Sequence, residues 1–221
     1  MMDWTALGVS LELACCTTLI LCVIGLPLAY WLASTRWRGR FLIEAVVALP
    51  LILPPTVLGF YILVAIGPYS PLGQGYERLV GQPLPFSFPG LLVASVLFSL
   101  PFAVRPFLAG FAGVDRRLVE ASWCLGVSRW MTFFRVIVPL SWTAIVTGVV
   151  LSFAHTMGEF GVVLMVGGNK PGVTRTISIS IYDDVQSLNY EAAGQTALLL
   201  LGCSFAALAI VSALQRRVWL L

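Results

Sequence analysis

The chain has 221 residues, 59% of them hydrophobic and 10% charged, with a formal net charge of +3 and a mean hydropathy of +0.94. An ordinary soluble domain carries about 25% charged residues as a solvated skin, and thirteen basic and ten acidic side chains cannot supply one. The composition excludes most soluble enzyme classes and points to an all-α integral membrane protein in contact with the lipid bilayer; its basic residues lie in short clusters that suit membrane topology and give no reason to expect a nucleic acid.

A bilayer-spanning helix needs about 20 mostly apolar residues, and five stretches qualify: 5–33, 41–66, 90–111, 140–167 and 192–214. The first lacks a basic leader, carries Asp3 and Glu12, and is too long for the core of a signal peptide. In the second, Pro50, Pro54 and Pro55 interrupt the helical hydrogen-bond ladder, and the freed carbonyls must be satisfied inside the protein or a cavity. The Gly- and Pro-rich segment 67–89 reads as an irregular loop. The third stretch contains Arg105, four residues after Pro101, placed either to snorkel to the headgroups or to attract an anion near the end of the span.

The connector 113–139 is too long to be a simple link. Asp115 is a suitable N-cap for a helix over 116–125 that Gly126 would end, and Ser128 can cap a second helix toward Pro139. Leu118, Val119, Ala121, Trp123 and Leu125 share one broad face of the first helix, with Arg116, Arg117 and Glu120 on the other. In the fourth stretch Ser152, His155 and Glu159 form a polar stripe able to line a passage. Glu159 lies near its outer end, where it would anchor loop backbone or pair with a base. Ile177, Ile181 and Val185 predict a short amphipathic helix within 168–190, although Ile177, Ile179 and Ile181 also fit a strand.

With the N-terminus outside, nine arginines (36, 38, 40, 116, 117, 129, 135, 216 and 217) fall on the cytoplasmic side, against Arg78, Lys170 and Arg175 outside. This bias predicts an outer N-terminus and a cytoplasmic C-terminus, within a single domain over 5–214. Cys15, Cys16, Cys22 and Cys203 lie in apolar runs and Cys124 in the connector. With no C-x-x-C pair and one histidine, no metal site is expected. No G-x-x-x-x-G-K-[ST] loop occurs, so ATP hydrolysis by that route is excluded and the chain is not expected to be an enzyme.

Glu120-Ala121-Ser122, three residues, Gly126, nine residues and then Val136-Ile137-Val138-Pro139 resembles the EAA loop of ABC-importer permeases. The departures are Ser122 for the second Ala, Val136 for Ile and Val138 for Leu. Leu49-Pro50-Leu51-Ile52-Leu53-Pro54-Pro55-Thr56-Val57-Leu58-Gly59 looks like the L-P-L-V-L-P-P-x-V-x-G run of molybdate permeases. Gly158-Glu159-Phe160-Gly161, followed by Pro171-Gly172, Thr174-Arg175-Thr176 and Ile181-Tyr182, is similar to the G-E-F-G … P-G-x-T-R-T … I-Y pattern of that subfamily. Sulfate permeases tend toward G-E-Y-G.

The resemblance implies a type I ABC-importer permease in a bacterial inner membrane, spanning it several times. It implies a second copy of the chain and two cytoplasmic ATPase subunits that bind ATP and Mg. It also implies an extracytoplasmic molybdate-binding protein and no cofactor on the chain itself. Glu120, Ala121, Ser122, Gly126 and Pro139 would belong to the ATPase-docking coupling loop. Pro54, Pro55, Arg105, Ser152, His155 and Glu159 are the candidates for the passage or its gate. A tungstate or sulfate/thiosulfate permease is the near alternative. An ion-coupled secondary carrier is the distant one, for which inverted repeats would be expected and none is seen.

Overall fold

The computed structural model describes residues 3–218, with side chains through residue 213; Arg216 and Arg217, which enter the charge bias, lie outside the described side chains. Helix α1 (Trp4–Ser34) is continuous through Pro27, and the Asp3 carboxylate caps it by accepting from the Ala6 amide. A short link leads to α2 (Arg40–Ala48), which tightens into a 3₁₀ turn over Leu49–Leu51. Helix α3 (Pro55–Ile66) then leaves at 112° to that piece. The expected span over 41–66 is therefore two helices, broken where its prolines interrupt the ladder. Pro54 and Pro55 have no N–H to continue the ladder, and Pro54 adopts the extended ψ of 135°.

The segment expected to be an irregular loop carries α4 (Pro71–Val80). Ser70 caps it by accepting from the Gly73 amide, and Gly81 closes it at φ +77°. Here proline sits at the first helical position and glycine just past the last, so the residues that suggested an irregular loop punctuate a helix instead. Helix α5 (Phe88–Ala112) is the central rod, about 37 Å long at 1.5 Å per residue. The connector follows with α6 (Arg116–Cys124), α7 (Arg129–Thr132), a π-helical turn over Phe133–Ile137 and α8 (Val138–Leu140).

Helix α9 (Trp142–Met157) departs at 75° from the connector's last segment. The chain breaks at Gly158–Phe160 and resumes as α10 (Gly161–Gly167). The expected single helix over 140–167 is thus interrupted, with Gly158 and Gly161 bracketing the break. Helix α11 (Ile177–Gln186) resolves the helix-or-strand ambiguity in favour of helix. Its first turn is buried, and the Ile177 amide donates to Ser10 Oγ of α1 at 2.8 Å. Helix α12 (Tyr190–Val218) completes the fold, which among the described residues is all helical, with three helices long and apolar enough to cross a membrane, or five if each bent pair is one span.

Helices α1, α5 and α9 form the core. Phe107 of α5, fully buried, is its pivot: Gly25 of α1 lies alongside, and a Cβ at Gly148 of α9 would stand 2.5 Å from its ring. Only a residue without a side chain allows that approach. Contacts along α5 fix an antiparallel register with the α9–α10 arm. Gly110 faces Ala144, Phe107 faces Gly148, Ser99 meets Thr156, Ser95 meets Glu159, and Leu91 packs with Val163. The break at Gly158–Phe160 leaves this register intact. Helix α10 is shared with a second cluster containing Ile62 and Ile66 of α3, Val162 and Val166.

Candidate functional site

The connector builds one candidate surface. Asp115 accepts from the Arg117 amide at the start of α6. At its end Gly126, at φ +78°, donates to the Trp123 carbonyl while the Val127 amide reaches Ser122 O at 3.1 Å. That pair of bonds is a Schellman cap, whose left-handed position favours glycine. Ser128 accepts from the Met131 amide and starts α7. Both caps expected from the sequence are formed, but the second helix soon widens into the π turn. A Ser122 Oγ–Thr132 Oγ1 hydrogen bond of 2.9 Å, buried, clamps α6 to α7. Ser122, the departure from the E-A-A pattern, thus has a partner that alanine could not have.

The face of α6 turned to the bundle is narrower than the sequence pattern suggests. Val119 packs on the core and Ser122 is buried, whereas Leu118, Trp123 and Leu125 are exposed, Leu125 by 83%. Glu120 and Ala121 also point outward, with Trp130 and Met131 of α7 exposed nearby. Arg129 lies over the Trp123 ring at 5.8 Å, a cation–π contact that stiffens the turn. A cavity of about 440 Å³ separates this hairpin from the end of α1, lined by Pro27, Tyr30, Ser34, Trp123, Arg129, Trp130 and Phe133. Pro139, the last residue of the loop motif, sits in α8 where the connector turns toward α9.

The second candidate lies at the break between α9 and α10. Glu159 is sealed from solvent, with its side chain 0% exposed. Ser95 donates to Oε2 at 2.6 Å and Ser99 to Oε1 at 2.5 Å. His155 Nδ1 stands 3.3 Å from Oε1 and 2.9 Å from Ser99 Oγ, and Thr156 Oγ1 also meets Ser99 Oγ at 2.9 Å. Glu159 therefore ties the break to α5, not to the loop backbone beyond it. Ser95 is seven residues from the start of α5, so the carboxylate lies about 10 Å in from that end.

The His155 ring stacks on Phe102 at 3.8 Å and tilts against Phe98 at 4.8 Å. Its side chain is 20% exposed. A cavity of about 600 Å³ opens there, lined by Pro55 and Thr56 of α3, Phe98, Ala154, His155 and the break residues Gly158 to Gly161. Gly161 packs so closely on α3 that a Cβ would meet that of Pro55 at 2.9 Å. Pro55 thus lines the cavity and Pro54 sets the entry angle of α3. Ser152 is kept apart: it is fully buried and donates to the Gly148 carbonyl within α9.

Arg105 is exposed on α5, seven residues past Phe98 and on nearly the same face, about 10 Å further along the helix. It makes no hydrogen bond or ion pair with another described residue. The sequence reading missed Ser95, Ser99 and Thr156. Two serines four apart in an apolar span are the signal that could have found a partner for an intramembrane acid.

A family described as binding-protein-dependent transport system inner membrane component matches residues 25–220. The chain is 51% identical over 191 residues to the molybdenum transport system permease protein ModB of Azotobacter vinelandii, covering 86% of this chain and 84% of that protein. It is 32% identical over 209 residues to the protein of the same name from Escherichia coli K12, covering 95% and 91%. Among solved structures it is similar to a chain of the bacterial alginate ABC transporter in complex with an alginate pentasaccharide-bound periplasmic protein. The TM-score is 0.73 at 16% identity, over 97% of this chain and 78% of that one.

Proposed function

This chain belongs to the family of binding-protein-dependent transport system inner membrane components, and we propose that it is the permease subunit of an ATP-driven molybdate importer. Two copies would form the translocation passage, with two cytoplasmic ATPase subunits holding ATP and Mg beneath them. An extracytoplasmic binding protein would deliver the oxyanion from outside. The α6–α7 hairpin would face the cytoplasm and the α4 end the outside, as the arginine distribution favours.

The observation that carries the reading is the capped α6–α7 hairpin. It is held to the bundle by Val119 and the Ser122–Thr132 bond, yet turns Glu120, Ala121, Leu125 and Trp130 outward. A rigid helix whose outer face sets Leu118, Trp123 and Leu125 beside Arg116, Arg117 and one acidic group, Glu120, suits docking on a protein that must push it. Molybdate is favoured over sulfate by the 51% identical relative. No ATP-binding role is assigned to this chain.

The test is uptake by proteoliposomes containing the chain, the cognate ATPase and its binding protein. Molybdate uptake should require ATP and the ATPase, and tungstate should compete more strongly than sulfate because it matches molybdate in size and charge. Equal or stronger competition by sulfate or thiosulfate would move the protein to the sulfate branch. Uptake by the chain without an ATPase would replace the importer reading with an ion-coupled carrier.

A further inference from the structure

Ser99 joins Glu159 to His155: its Oγ meets Oε1 of the acid, Nδ1 of the ring and Thr156 Oγ1 together. Nδ1 is thereby taken up, and Nε2 is the ring nitrogen left with no hydrogen bond to any described residue; the ring borders the cavity. Ser95 and Ser99 bond both oxygens of Glu159, and among the described ionisable groups His155 is the one in contact with it. The other neighbours of the ring and cavity are Phe98, Phe102, Pro55, Thr56 and Phe160, none of them charged.

Resting on the oxyanion-importer reading above, we infer that His155, held through Nδ1 by Ser99 and Glu159, presents its Nε2–H to a tetrahedral dianion crossing the cavity beside α3. Glu159 is a positioning residue: its sealed side chain fixes the orientation of the ring. The arrangement resolves the presence of an acid on an anion route. The acid is spent on the ring and the two serines, so the site offers a single directed donor and not a cluster of cations, which would trap a dianion. Thr56 adds a hydroxyl and an amide from the first turn of α3, where helix amides lack internal partners. Arg105, about 10 Å along the same face of α5, supplies a cation.

The inference is tested in the reconstituted importer with H155F, H155Q and E159Q. H155F keeps the stack on Phe98 and Phe102 but removes both nitrogens, and its uptake should fall about ten- to a hundredfold, the worth of one hydrogen bond to a charged group. H155Q keeps a neutral N–H and should retain an intermediate rate. E159Q can no longer accept at both positions, which loosens the hold on the ring, and should also slow uptake. All three should co-purify with the ATPase and hydrolyse ATP when the binding protein is added. H155F uptake within about twofold of the native rate overturns the inference, as does loss of the assembled complex in both His155 variants, which would make the ring structural. If the unsubstituted complex fails to take up molybdate, the importer reading itself falls.

Discussion

Replacing Gly126 separates backbone geometry from steric bulk in the connector. Its φ of +78° places it in the left-handed region, and a Cβ built there meets nothing within 4 Å. A substitution therefore costs only backbone energy, about 1–2 kcal/mol for an ordinary L-residue and less for Asn, which visits this region more readily. A cost of that size lowers the population of the capped turn about 5- to 30-fold. Gly126→Val, β-branched, should lose most and Gly126→Asn least, although the two side chains are of similar size. The assay is co-purification of the ATPase with the solubilised chain, followed by uptake in proteoliposomes. The Val variant should insert in the membrane in normal amounts yet recover less ATPase. Equal impairment by Asn and Val would refute the backbone argument, and full ATPase recovery with Gly126→Val would remove the hairpin from the docking surface.

Two further outcomes follow from the fold. A cysteine replacing Arg38 should react only with a membrane-permeant thiol reagent, and one replacing Gly75 in α4 should react from outside, in a background lacking the five native cysteines; labelling of position 38 by an impermeant reagent would invert the orientation. Phe107→Ala empties the pivot of the core and should destabilise the chain by about 3–5 kcal/mol, read as earlier thermal aggregation of the solubilised complex; a shift no larger than that of an exposed-site control such as Leu97→Ala would refute its placement.

The helices most legible in the sequence were those decided by local chemistry. Asp115, Gly126 and Ser128 each act within three or four residues, so the start and end of α6 and the start of α7 could be read from residue type alone. Hydropathy located α1, α5 and α12 because a long apolar run has few alternatives in a bilayer. It missed the breaks before α3 and α10 because it averages over them: Pro54 and Gly158 interrupt the helix without changing the polarity of the chain. It failed at α4 because Gly and Pro were counted as composition, when their order along the segment marks a helix start and stop. The buried network was only half visible. His155 and Glu159 are four apart on one arm, a spacing the sequence displays, but Ser95 and Ser99 reach them through the antiparallel register of α5 with α9 and α10. That register depends on non-local packing, with Phe107 seated against Gly148 and Leu91 against Val163. A residue's polarity announces that it needs a partner; only the packing of the apolar residues around it decides which partner it meets.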